Sequence, residues 1–121
     1  WMLSSSVAAQ YAKYHDHKEL LLLRESLEIA SPEYLEAFDK VMLSWHLMPF
    51  NMMIARGGVI VNYSKWLFDV LDIFESRIDL TIKNSYQMRI FGFVAERLLN
   101  VYFEHNKSIR VHSLPVAFIP Q

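Results

Sequence analysis

The chain has no cysteine. Disulfides, thiolate metal sites and a cysteine nucleophile are therefore excluded. It has only three glycines and four prolines among 121 residues. Few turns are marked, and three glycines cannot build a phosphate loop, a dinucleotide fingerprint or a nucleophile elbow. No apolar run approaches the roughly 18 residues of a membrane span; "FGFVA" (91–95) is too short and "VMLSWHLMPF" (41–50) is broken. No basic segment precedes an apolar stretch, so no signal peptide is expected. Charge of one sign is also missing. The formal net charge is −1 and the pI is near 6.6, which is not the basic stripe of a phosphate-tracking protein, so nucleic acid is not an expected partner.

What is abundant is apolar material. The chain is 53% hydrophobic and 14% aromatic, which is ample for a core and incompatible with disorder. Its length suits one domain or a piece of a larger one. The start at Trp1, with Met2 after it, reads as an excised later part of a longer protein, and residues 1–121 are taken as a single domain or fragment.

Helical signals dominate. "LSSSVAAQYAKY" (3–14) offers serines for a cap and apolar residues at helical spacing. "KELLLLRESLEIA" (18–30) is a strong helix by propensity, with Leu20, Leu23, Leu27 and Ala30 on one face. Ser31 as N-cap and Pro32 at the first helical position start another through Leu35, Phe38, Val41 and Met42. Pro49 breaks any helix. "FNMMIA" (50–55) then reads as a short buried strand and "RGG" (56–58) as a turn. Asn62 or Ser64 caps the next helix, marked by Trp66, Val70, Ile73 and Phe74. "DLTIKNS" (79–85) is a connector, and a long helix runs from about Tyr86 to His105. The tail 108–121 alternates and suggests a strand, which Pro115 confines to an edge. The expected fold class is mainly α with two or three short strands (α+β). Several helices look apolar on more than one face, which suits packing on further protein or on another subunit, such as a homo-oligomer.

Within the long helix, "RIFGFVAERLLN" (89–100) raises a question of chemistry. At about 100° per residue, Arg89, Glu96 and Asn100 share one face beside Gly92, while Phe91, Val94, Leu98 and Val101 fall opposite. A charge among apolar flanks needs a partner. Arg89 and Glu96 lie about 10 Å apart along the axis, too far for a direct bond. Gly92 costs about 1 kcal/mol of helix stability and is expected where something approaches the backbone. One reading is a structural network; the other is a cleft wall facing a sugar or phosphate.

Other candidates are weaker. His15, Asp16 and His17 could ligate a metal, or Asp16 could cap the following helix. No HExxH, third ligand or EF-hand loop accompanies them, so no metal site is assigned. Asp69 and Asp72 read as a solvated helix edge. Asn51 suits either a sugar hydroxyl or the cap of its own turn. Met48, Met52 and Met53 read as core filler.

Three blocks in this order, "FNMMIA" (50–55), "YSKWLFDVLDIFESRID" (63–79) and "YQMRIFGFVAERLLNVYF" (86–103), resemble the C-terminal half of the bacterial DUF4422 family. "SVAAQYAKYHDHKEL" (6–20) and "SPEYLEAFDKVM" (31–42) are similar to the run before the family's Asn-Met motif. The resemblance covers roughly 6–104. It implies a nucleotide-sugar-dependent glycosyltransferase of capsular or exopolysaccharide biosynthesis, with a glycosyltransferase-A-like arrangement of which this chain is the helical C-terminal portion. The family's N-terminal half, with a His-Tyr-Arg-Arg-type motif and much of the donor site, would precede this chain.

By position the family's recurrent polar residues fall on Asn51, Trp66, Arg89, Gly92, Glu96, Arg97 and Asn100. On that basis Glu96 is the candidate for acceptor binding or base work. Arg89 is the candidate for stabilising the leaving phosphate, since a guanidinium grips phosphate with two prongs. Asn51 and Asn100 are assigned to substrate hydroxyls, with His17 at the cleft edge. No cofactor is assigned to these residues; the absence of an Asp-x-Asp motif leaves a divalent cation to the longer protein. The implied partners are a nucleotide-sugar donor and a saccharide acceptor, lipid-linked or free, in the cytoplasm or at the inner membrane face as a peripheral protein. Two other classes compete: a non-catalytic helical interaction or oligomerisation module, and a histidine-metal hydrolase resting only on "HDH".

Overall fold

The structure is a computed structural model that describes residues 5–14, 17–44, 56–78 and 85–109. Five α-helices account for most of them: α1 (Val7–Tyr14), α2 (His17–Ala30), α3 (Leu35–Leu43), α4 (Gly57–Arg77) and α5 (Ser85–His105). A 3₁₀ turn at Pro32–Tyr34 joins α2 to α3. Among the described residues there is no strand. The expected class, mainly α with two or three short strands, is thereby corrected to all-helical. The two segments read as strands, 50–55 and most of 108–121, lie outside the described residues.

One part of that reading can be tested directly. "RGG" does not turn: Gly57 and Gly58 are the first residues of α4, which begins five residues before the expected Asn62 cap. Arg56 is extended (φ −63, ψ 147), and its carbonyl accepts the backbone N–H groups of Val59 and Ile60 at 3.0 and 3.2 Å. Val59, Ile60 and Val61 are helical although β-branched residues are mediocre helix formers. Packing outweighs that small penalty. Tyr63, Trp66, Val70 and Phe74 recur at steps of three and four and are all buried, each contributing about 1.5–3 kcal/mol of burial.

Ser31 takes the expected N-cap position with Pro32 in the first turn, but the element they open is a 3₁₀ turn and Ser31 makes no side-chain cap. Its carbonyl instead accepts the Tyr34 N–H at 3.0 Å, and its own N–H returns to Leu27 at 2.7 Å. Pro32, with no N–H to satisfy, fits this tight reversal.

α4 runs antiparallel to α2: Arg77 bonds Glu25 at 3.3 Å near one end, and Trp66 stacks on Tyr34 beyond the other. It runs antiparallel to α5 too, since Phe74 meets Phe91 edge-on at 6.0 Å and Tyr63 meets Tyr102 at 5.1 Å. α3 lies on α5 and is tied to α2 by the two-pronged Arg24–Asp39 pair at 2.9 and 2.8 Å. That guanidinium holds the Asp39 carboxyl below its usual range. α1 packs on α2 and α3, and the Val7 N–H bonds the Ser44 carbonyl at 2.8 Å. Tyr11, Leu23, Leu27, Val70, Phe74, Val94, Leu98 and Val101 form a core without solvent access.

This packing predicts opposite results for two phenylalanines on α4. Phe74→Ala empties a core site and should cost about 3–5 kcal/mol, whereas Phe68, 60% exposed, should tolerate alanine within about 0.5 kcal/mol. Urea unfolding of both variants measures the difference; equal losses would refute the assigned facing of α4.

Candidate functional site

α5 carries two distinct polar sets. Ile90, Val94, Leu98 and Val101 are buried on its inner face, and at 100° per residue Arg97 falls among them. Arg89, Glu96 and Asn100 fall together about a quarter-turn or more away, on the flank.

The inner set is a network across three helices. The Arg97 side chain is only 7% exposed. Its Nη1 donates to Glu96 Oε2 at 3.1 Å and to the Phe93 carbonyl at 3.1 Å. The guanidinium carbon lies 5.2 Å from the centre of the Tyr11 ring on α1. The Tyr11 hydroxyl in turn donates to Glu19 Oε2 on α2. Glu19 is itself buried. Burial pushes the Arg97 pKa down, against the opposing pull of Glu96 and Tyr11. Burial likewise pushes the Glu96 carboxyl up, and the neighbouring guanidinium opposes it. In each partner, desolvation outweighs attraction.

The outer set is open. Arg89 is exposed, and no ion pair or hydrogen bond of its side chain is found among the described residues. Gly92 is exposed as well, and a Cβ placed there would meet nothing within 4 Å. Glu96 is 27% exposed, at the border of the two sets. Asn100 is partly buried and donates its amide to the Glu96 carbonyl at 2.8 Å, a bond inside its own helix. The structure thus brings Glu96 and Asn100 together and leaves Arg89 apart. Asn51 lies outside the described residues. His17 opens α2, but its side chain is not described, and His15 and Asp16 lie outside. Asp69 and Asp72 are exposed, as expected. Among the described residues no three His, Asp or Glu side chains gather to hold a metal.

Sequence reasoning missed Tyr11 and Glu19 altogether, and it gave Arg97 no chemical role. The signal was present: an arginine bordering an apolar face needs a buried counter-charge, and α2 carries Glu19 in its first turn, beside buried Leu20.

A second concentration of chemistry-bearing residues lies where α4 and α5 meet the 3₁₀ turn. Trp66 packs on Tyr34 and Tyr102 at 4.8 and 5.3 Å. His105 stacks on Tyr34 at 4.0 Å, and Asn106 donates to the Tyr34 hydroxyl at 3.0 Å. Burial pushes the Tyr63 hydroxyl up to about 12. The buried Trp66 Nε1 has no acceptor among the described residues.

The model of a family described as a domain of unknown function, DUF4422, matches residues 1–107. No curated protein matches the chain. Among solved structures it is similar to apo WbbM, a bifunctional glycosyltransferase, at 27% identity with a TM-score of 0.82. The match covers 89% of this chain and 20% of that one, so the chain spans about a fifth of WbbM's length.

Two variants probe these sets. Tyr11→Phe takes the hydroxyl from the buried Glu19 carboxylate and should destabilise by about 1–3 kcal/mol. Gly92→Ala replaces an exposed helix-interior glycine in open space and should stabilise by up to about 1 kcal/mol. Thermal unfolding reports both signs; a destabilising Gly92→Ala would mean the outer face of α5 is not open.

Proposed function

Because the chain belongs to the DUF4422 family, we propose that it forms the helical part of a nucleotide-sugar-dependent glycosyltransferase working in exopolysaccharide or capsular polysaccharide assembly. The observation that carries this reading is the likeness to WbbM over 89% of the chain. The open polar flank of α5 is the surface best suited to the chemistry.

Sugar transfer develops negative charge on the departing diphosphate and removes a proton from the acceptor hydroxyl. Arg89 supplies a solvent-facing guanidinium that can close on the diphosphate with two donors. Glu96 lies two turns along the same flank and accepts the hydroxyl proton or orients the acceptor. Its burial-raised pKa suits a base better than that of a fully hydrated carboxylate. Asn100 lines the stripe beside it, while Asn51 and His17 contribute hydroxyl contacts from their own segments. Gly92, without a side chain, leaves room between Arg89 and Glu96 for the ligand. The donor is a nucleotide sugar and the acceptor a saccharide, lipid-linked or free. No helix among the described residues is long and apolar enough to cross a membrane, and the reading places the protein in the cytoplasm or peripherally at the inner membrane face.

A second reading, a non-catalytic interaction module, is favoured by one observation. Val61 and Phe68, two turns apart on α4, are 65% and 60% exposed, an apolar strip that suits contact with more protein.

Transfer assays on the full-length protein separate the two. With uridine diphosphate sugars as donors, Arg89→Met should lower transfer by about 100-fold or more without moving the melting temperature. Gly92→Ala should also lower transfer while the protein melts no earlier. Wild-type transfer rates in both variants would sink the catalytic reading and leave the module.

A further inference from the structure

The Glu96–Arg97 pair joins groups of opposite location. Neighbours on a helix point about 100° apart, so Arg97 belongs to the core face and Glu96 to the flank. The arginine side chain bends back along its own helix, where Nη1 touches both the Phe93 carbonyl and the Glu96 carboxylate at 3.1 Å. Its face is set by the Tyr11 ring at 5.2 Å. Tyr11 is anchored through its hydroxyl to Glu19, and neither has appreciable solvent access. The guanidinium is thus seated on an α1 ring that α2 in turn anchors, and the carboxylate it holds is the one at the border of the open flank.

Building on the assignment of Glu96 above, we propose that Arg97 is a positioning residue for the Glu96 carboxylate, fixing its direction for work on the acceptor hydroxyl. Several charged groups of the neighbouring elements are engaged elsewhere. On α3, Asp39 goes to Arg24, and Lys40 reaches Glu104 at 4.0 Å. On α4, Arg77 goes to Glu25, while Asp69 and Asp72 face solvent. On α2, Glu19 meets Tyr11, and on α5 Arg89 stands two turns before Glu96. Among the described residues Arg97 acts on the Glu96 carboxyl, against the effect of burial and in favour of the ionised form.

The test is the pH profile of kcat in the full-length enzyme. A base works when ionised, so transfer is lost as pH falls through its pKa. Arg97→Met removes the opposing positive charge, and the acid limb should move to higher pH by about one unit or more. Arg97→Lys keeps a charge but not the planar fork, and should hold the limb closer to its original pH while restoring only part of the rate. A structural role would lower the melting temperature and the rate with the limb unmoved, and would overturn the proposal. If Arg97→Met does not fold, the Arg97→Lys profile decides: a limb at the wild-type pH with a wild-type rate refutes positioning by the fork. Failure of both to fold makes Arg97 purely architectural and also overturns it. Glu96→Gln separates this failure from failure of the underlying assignment. Transfer abolished in Glu96→Gln with an unmoved limb in the Arg97 variants removes only the positioning role; full transfer in Glu96→Gln removes both.

Discussion

A guanidinium seated on the inner face of α5 constrains everything around it. Arg97 cannot titrate away its charge near neutrality, and an uncompensated charge in a core costs several kcal/mol. Compensation has to be built from neighbours. Glu96 supplies the counter-charge from the same helix, and Tyr11 supplies an aromatic face from α1. The Tyr11 hydroxyl then satisfies Glu19 on α2. One buried charge thus specifies how three helices meet. Hydrophobic contacts alone would fix that less closely, because an apolar face tolerates small rotations that a chain of directional bonds does not.

The opposite device operates where α4 and α5 reach the 3₁₀ turn. There the contacts are ring on ring: Trp66 and Tyr102 pack on each other and each on Tyr34 and Tyr63, with ring centres 4.8–6.3 Å apart. Aromatic pairs at such distances add roughly 0.5–1.5 kcal/mol each beyond burial. Asn106 closes the cluster by donating to both the Tyr34 hydroxyl and the Tyr102 carbonyl. α5 is therefore held by charge and hydrogen bonds around Arg97 and by rings near its C-terminal end. Its inner face is thus held at two places.

The helices themselves were legible because their periodicity is strong. Leu20, Leu23 and Leu27 mark α2, and Trp66, Val70 and Phe74 mark α4, and all are buried as expected. The start of α4 was not legible. A glycine pair followed by Val59, Ile60 and Val61 carries turn and strand propensity, and only the burial of Tyr63 and Trp66 further along explains why the helix extends over it. The flank of Arg89, Glu96 and Asn100 followed from angular arithmetic alone. The Tyr11–Glu19–Arg97 network did not, because it joins residues up to 86 positions apart. One chain's spacing says that Arg97 needs a partner but not which helix brings it.

Two arginines on α5, eight positions apart, show how one helix serves two ends. At 100° per residue, eight steps return to within about 80° of the start. That is enough to put Arg97 in the core and Arg89 in solvent. The same side chain then does different work. Arg97 is stripped of water, and its attraction for Glu96 is strengthened by the low dielectric but opposed by desolvation. Arg89 is exposed, so its charge stays in water. Glu96 is the hinge between these regimes, 27% exposed and bonded inward. A carboxylate so placed can be directed by the core while it faces the flank. A helix with this pattern passes the order of its packed inner face to the carboxylate on its flank.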